Sequence, residues 1–87
     1  MNLEKLTEKD ILLIELLSKN GSMTLSELSA RMLTPPGQTL KTVEHIQRSG
    51  YIEVAPIEEG SENKAYFLNS NGRRLWAVLR LGDLSSF

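Results

Sequence analysis

The sequence predicts a mainly helical α+β domain made of three helices, a β-hairpin and a closing helix. Apolar residues recur at helical spacing through the first half of the chain, and short runs of β-forming residues begin at Tyr51. A chain of 87 residues supports one hydrophobic core. Residues 1–87 are therefore expected to form a single domain.

The first helix is predicted at residues 8–19. Thr7 can cap its first amides, and acidic residues in its first turn oppose the positive end of the helix dipole. Asn20 and Gly21 follow its last apolar residues, and both tolerate the left-handed backbone that ends helices.

The second helix is predicted at residues 25–32. Thr24 followed three residues later by Glu27 is a capping-box pattern, which marks its start. The short connector at residues 22–24 can pair as a minimal strand.

The third helix is predicted at residues 36–49. Pro36 suits its first turn, where the missing N–H would have no partner. With Val43 at the centre of the buried face, steps of 100° per residue place four polar side chains opposite it, namely Gln38, Lys41, His45 and Arg48. Such side chains can reach base edges or phosphates in a DNA major groove. A polar outward face is also the ordinary property of an amphipathic helix.

Two strands are predicted at residues 51–55 and 65–68, separated by a polar, turn-forming segment. Tyr51 and the aromatic residues of the second strand are expected to fill the core. Asn69 can then cap a closing helix from residue 70 to about 81.

This order of elements is that of a winged helix-turn-helix domain: a three-helix core, a β-hairpin wing and a C-terminal helix. Four segments resemble the MarR and PadR types of winged helix-turn-helix regulator, namely residues 24–29, 38–43, 46–52 and 66–73. The resemblance covers nearly the whole chain. It implies a transcription regulator that binds double-stranded DNA sequence-selectively, with the helix at 36–49 in the major groove. It places Gln38, Lys41, Thr42, His45 and Arg48 at recognition-helix positions, and Thr39 and Lys64 complete the predicted DNA-binding set.

The predicted wing departs from the usual pattern, in which Arg or Lys stands at the hairpin tip. Between residues 57 and 64 the chain has Glu58, Glu59 and Glu62 against Lys64 alone, a local charge of −2. Because phosphates repel carboxylates, wing contacts are assigned only to Lys64 and Asn63. The acidic wing also supports an alternative, a winged-helix module that binds protein instead of DNA.

The closing helix is apolar around most of its circumference. Leu75, Val78 and Leu79 form the stripe expected to close the core, while Trp76 and Leu81 lie outside that stripe. A helix apolar on more than one side predicts a partner, and a two-fold homodimer is the commonest solution. The predicted dimer interface comprises Leu75, Trp76, Leu79, Leu81, Leu84 and Phe87. Alternatively, Trp76 folds back onto the wing strands.

Composition argues against catalysis and metal binding. The sequence has no Cys and one His, so it offers neither disulfides nor the usual zinc ligand sets. It has no Gly-rich phosphate loop, and no base is evident beside a serine nucleophile. We therefore expect no enzyme activity, no catalytic residues, no metal and no cofactor.

Charge and hydropathy constrain the partners and the location. A net charge of −1 argues against a non-specific nucleic-acid coat protein but not against a specific binder. No apolar run approaches the roughly 20 residues of a membrane span, so a cytoplasmic location is expected. A small-molecule sensor is a third hypothesis, although a core of this size leaves little room for a pocket of roughly 300 Å³.

Overall fold

The computed structural model describes residues 6–60 and 62–85, with side-chain burial given as far as residue 81. Within these residues it contains four helices and three strands. In chain order they are α1 (Glu8–Asn20), β1 (Ser22–Met23), α2 (Leu25–Met32), α3 (Pro36–Arg48), β2 (Ile52–Pro56), β3 (Lys64–Leu68) and α4 (Ser70–Ser85).

The predicted elements are confirmed, and all but one agree with the structure to within one residue at each end. The exception is α4, which continues to Ser85 instead of ending near residue 81. Gly82 lies inside that helix. A single glycine costs a helix about 1 kcal/mol and does not end it unaided.

Local capping explains where the first two helices begin. The Thr7 hydroxyl accepts from the Asp10 amide at 3.1 Å, and the Asp10 carboxylate accepts from the Thr7 amide at 2.9 Å. Thr24 and Glu27 form the same reciprocal pair at 3.2 and 2.9 Å. At the other end of α1, Gly21 has φ +85°, a conformation that glycine adopts without a Cβ penalty.

The three strands form one antiparallel sheet in the order β1-β3-β2. Ser22 and Met23 pair with Phe67 and Tyr66, which confirms the minimal strand. Strands β2 and β3 pair from Ile52–Leu68 to Pro56–Lys64 and form the wing hairpin.

The hydrophobic core lies between the helices and the sheet. Its members come from every element and are Leu13, Ile14, Leu17, Met23, Leu28, Met32, Val43, Ile46, Tyr51, Ile52, Leu68 and Leu75. Of the aromatic residues expected inside, Tyr51 is buried, whereas Tyr66 and Phe67 are half-buried.

A hydrogen-bonded junction fixes the start of α4 to the end of α3. The Asn69 side chain donates to the Gly50 carbonyl at 2.9 Å and accepts from the Gly72 amide at 2.9 Å. The Asn69 amide also donates to the Tyr51 carbonyl at 3.1 Å. Asn69 therefore caps α4, as predicted, and also connects it to the chain segment that leaves α3.

Candidate nucleic-acid interface

Helix α3 packs into the core through Thr39, Val43 and Ile46, each of which is 0% exposed. The buried face is therefore centred between Val43 and Ile46, and not on Val43 as expected from the sequence. At 100° per residue this turns the exposed face by roughly 30°. Lys41 and Arg48 stay at the middle of that face, Glu44 comes within about 50° of the middle, and Leu40 lies at the edge.

Among the exposed side chains of this helix, which also include Gln38 and Gln47, we call Leu40, Lys41, Glu44 and Arg48 the α3 outer face. Within the part of the chain that the structure describes, Lys41, Glu44 and Arg48 make no side-chain hydrogen bond or ion pair. Gln38 is exposed beside this face, and Thr42 is half-buried and donates to the Gln38 carbonyl at 3.3 Å. The outer face thus offers two unpaired cations and one unpaired carboxylate to an external partner.

Thr39 has no exposed surface with which to contact DNA. Its hydroxyl lies within hydrogen-bonding distance of the carbonyls of Thr34 at 3.3 Å and Pro35 at 3.1 Å. The prediction of Thr39 as a DNA-binding residue is therefore wrong. The side chain instead fixes the first turn of α3 to the preceding turn.

His45 is directed toward α1 and not straight outward. Its Nδ1 atom lies 3.1 Å from Oδ2 of Asp10, whose side chain is only 3% exposed, and the imidazole itself is 39% exposed. The same carboxylate oxygen accepts the Thr7 amide. Asp10 therefore connects the N-terminal cap of α1 with the middle of α3.

Lys64 lies at the outer end of the wing strands, next to the loop that connects them. It is exposed, it is the first residue of β3, and it pairs with Pro56, the last residue of β2. It lines a shallow cleft of about 230 Å³ between the wing and the start of α2. Glu58 and Glu59 are exposed on the loop between the strands, which the amide of Ile57 closes by donating to the Asn63 carbonyl at 2.9 Å.

The closing helix differs from the dimer prediction at several positions. Leu75 is 2% exposed and belongs to the core, so its assignment to a dimer interface is wrong. Trp76 and Leu79 are half-buried and pack against the same core. Val78 was expected to close the core, but it is 52% exposed, because α4 contacts α1 and β3 through the face that carries Gly72 and Leu75.

The exposed apolar side chains of this helix, here called the α4 outer face, are Ala77, Val78 and Leu81, and the exposed Arg74 lies one turn before them. Leu81 is 63% exposed, so a second subunit could cover it. The Leu84 side chain and all of Phe87 lie outside the described residues.

A surface cleft of about 410 Å³ lies between the end of α1, the end of β3 and α4. Trp76, Arg73 and Arg80 line its α4 side. This cleft lies beside the core and not within it, so the expectation that a core of this size leaves little room for a pocket of roughly 300 Å³ stays a prediction.

Neither a metal-binding cluster nor a membrane-spanning helix occurs among the described residues. No three His, Asp or Glu side chains come together there in a way that could hold a metal ion. No helix in the same residues is long and apolar enough to cross a membrane.

Sequence reasoning missed three features of this surface. A wheel centred on the mean of Thr39, Val43 and Ile46 brings Glu44 onto the exposed face and Leu40 to its edge, whereas a wheel centred on Val43 omits both. The pairing of His45 with Asp10 depends on a contact between helices that no local pattern encodes. Leu33, in the turn between α2 and α3, is 91% exposed with φ +52°, and nothing in the sequence indicated that conformation.

Comparison with solved structures identifies the arrangement as the fold of MarR-family winged-helix regulators. FabT from Streptococcus pneumoniae, solved in complex with DNA, matches 99% of this chain and 60% of its own, with 19% identity and a TM-score of 0.85. YusO from Bacillus subtilis matches 92% of this chain and 57% of its own, with 18% identity and a TM-score of 0.86. A MarR-family regulator from Silicibacter pomeroyi matches 95% of this chain and 57% of its own, with 20% identity and a TM-score of 0.84.

The chain spans about three-fifths of the length of these solved structures. At such low identities the likeness establishes the winged-helix fold. No protein-family model and no curated protein matches the sequence.

Proposed function

We propose that the chain is a transcription regulator, not an enzyme, that binds double-stranded DNA sequence-selectively by placing α3 in the major groove. The α3 outer face carries this proposal, because Lys41 and Arg48 project from a helix whose opposite face is fully buried. A major groove admits one α-helix, and cations on its outer side can meet phosphates and guanine edges. The solved complex of FabT with DNA is a precedent for the same fold. A cytoplasmic location goes with this proposal.

The test is a titration with duplex DNA, followed by fluorescence anisotropy and by amide chemical shifts. Amide shifts concentrated in α3 would support the proposal. Lys41→Ala and Arg48→Ala should each weaken binding, by about 1–3 kcal/mol where the side chain contacts a base. Where the side chain contacts a phosphate, the slope of log affinity against log salt concentration should decrease in magnitude by about one.

Lys19→Ala is the matched control for these two variants. It removes the same charge from an exposed lysine on α1 that is paired with Glu15 at 2.9 Å. Its DNA affinity should stay close to that of the wild type. Unchanged affinity in the Lys41→Ala, Arg48→Ala double variant, with circular dichroism intact, would refute the assignment of α3.

We also propose a homodimer, formed through the α4 outer face. Val78 and Leu81 are more than half exposed on a helix whose other side is in the core. Covering such residues is favourable, and two-fold symmetry would give two copies of α3 the spacing that pseudo-palindromic sites require.

Sedimentation equilibrium at micromolar concentration tests the dimer. Replacing Val78 and Leu81 together by Ser should give a monomer, whereas Leu33→Ser, another exposed leucine, should not change the mass. A monomeric wild-type chain would contradict the dimer, and so would a dimer that survives the double replacement.

The acidic wing favours one second candidate, a module that binds a protein. Glu58, Glu59 and Glu62 are all exposed. If the wing lies beside DNA, replacing all three by Gln should tighten non-specific DNA binding, most strongly at low salt. If the wing instead binds a basic protein surface, the same variant should leave the DNA affinity unchanged and should no longer bind that protein partner.

A further inference from the structure

The α3 outer face carries one carboxylate among its cations. Glu44 is exposed three residues after Lys41 and four residues before Arg48. Opposite charges at these spacings on a helix can pair. Within the described residues, however, the Glu44 carboxylate has no such partner. Its charge is therefore not neutralised inside the domain.

Glu44 belongs to a stripe of exposed residues that has the spacing of a base-reading helix face. Gly37, Leu40, Lys41 and Glu44 follow one another at i, i+3, i+4 and i+7, and all four are exposed. A homeodomain recognition helix reads the major groove through side chains at the same spacing. Because glycine has no side chain, the stripe here consists of Leu40, Lys41 and Glu44.

This stripe is not built for phosphates. Lys41 is the only cation of this stripe. Leu40 is 37% exposed, and its side chain can neither donate nor accept a hydrogen bond. A carboxylate near the DNA backbone is repelled, so Glu44 weakens binding wherever it finds no donor. These side chains are therefore better suited to discriminating between bases than to attracting DNA in general.

The bases differ in what they offer to a carboxylate. In the major groove guanine presents two acceptors and thymine an acceptor and a methyl group, so neither can donate to Glu44. Adenine places an acceptor, N7, beside its amino group, and that acceptor repels the second carboxylate oxygen. Cytosine presents its N4 amino group as a donor.

We propose that Glu44 is a specificity-determining residue that selects cytosine at one position of each half-site. This rests on the proposed function, in which α3 enters the major groove. Glu44 accepts a hydrogen bond from cytosine N4 and disfavours the other three bases. The exposed Leu40, one turn earlier, faces the same groove and is suited to a thymine methyl group.

The experiment selects duplexes from a pool with a randomised core of about two helical turns. The wild-type chain, Glu44→Gln and Glu44→Ala are compared, followed by titrations of duplexes that differ only at the selected position. Wild type should prefer cytosine there by about 5- to 30-fold, which corresponds to about 1–2 kcal/mol. Glu44→Gln should move the preference toward adenine, since Gln can bond its N6 and N7 together.

Glu44→Ala should lose the preference and bind the other three duplexes at least as tightly as wild type does. Glu44 is exposed, so both variants should keep the wild-type thermal unfolding, and Lys19→Ala should keep the wild-type selection. If both Glu44 variants bind every duplex more tightly than wild type by the same factor, the role of Glu44 in base selection is overturned. The proposed binding of DNA by α3 would then still stand. A wild-type chain that binds no duplex would overturn the proposed function and this inference with it.

Discussion

Replacing Gly72 by Ala should destabilise the domain, although alanine is the better helix former. A Cβ at position 72 would collide with the Tyr51 carbonyl oxygen and would lie 3.0 Å from Cδ2 of Leu68. The carbonyl cannot move away freely, because it accepts the Asn69 amide at 3.1 Å. Relief therefore requires α4 to shift away from the end of α3.

The size of the effect follows from these contacts. Forcing a methyl group into a packed site costs about 1–3 kcal/mol. The Asn69 side chain and the Asn69 amide each donate one hydrogen bond to the segment that leaves α3, and losing either bond costs roughly 1 kcal/mol. Against these terms stands at most about 1 kcal/mol of helix propensity. We expect Gly72→Ala to lower the free energy of unfolding by about 2–3 kcal/mol and the melting temperature by roughly 10–20 °C.

Gly37 provides the matched control. It also lies in the first turn of a helix, but a Cβ there would have no atom within 4 Å. Gly37→Ala should therefore stabilise the free protein, by about 0.5–1 kcal/mol. Thermal and urea unfolding, both without DNA, measure the two variants. A Gly72→Ala variant as stable as Gly37→Ala would refute the close approach of α4 to the Tyr51 carbonyl.

Two other predictions concern the way α2 is held. Ser29 is buried and its hydroxyl has no partner in the described structure, so Ser29→Ala should raise the free energy of unfolding by up to about 1 kcal/mol. Thr39→Val removes a hydrogen-bonded hydroxyl and should lower the free energy of unfolding by about 1 kcal/mol. Equal shifts of the two variants in urea unfolding would contradict this contrast. The Thr24 amide, with smaller effects of the Thr24 hydroxyl and the Arg31 charge, holds the pKa of Glu27 below its ordinary value. This stabilisation is present above the pKa of an unfolded glutamate, about 4.3, and is lost as the pH falls through the lower folded pKa. The stability advantage over Glu27→Gln should therefore shrink below about pH 4.3, and an advantage independent of pH would contradict the capping role.

The fold could be predicted because its signals are local. Thr7 and Thr24 fix the helix starts through bonds three residues away, and Asn69 does the same for α4. The change from helical spacing to β-forming runs at Tyr51 needs no knowledge of distant contacts. Each of these signals acts within one turn of chain, so the sequence alone contains it.

The site could be predicted only in part, because packing between elements decides which face of a helix is exposed. Lys41 and Arg48 were assigned to the exposed face, and the structure places them there. Thr39 was also proposed as a contact, yet it is buried, because packing against the core covers the face of α3 that carries both Thr39 and Val43, four residues apart. On α4, packing also reverses the expectation for two apolar residues. Val78 was expected in the core but is exposed, and Trp76 was expected outside it but is half-buried.

The pair formed by His45 and Asp10 leads to a prediction about how α3 is positioned. The imidazole was predicted as a DNA contact, but it lies 3.1 Å from the Asp10 carboxylate. If the pair orients α3, His45→Ala and Asp10→Asn should each weaken DNA binding by about two- to fivefold, which corresponds to the 0.5–1 kcal/mol of a partly exposed pair.

The double variant should then be no weaker than the worse single one, because both changes break the same contact. Asp10→Asn retains an oxygen that can accept the Thr7 amide, so the start of α1 should remain capped. Lys41→Ala is the control, and its effect should add to that of Asp10→Asn. If His45→Ala weakens binding while Asp10→Asn does not, the imidazole acts on DNA directly and does not act by positioning the helix.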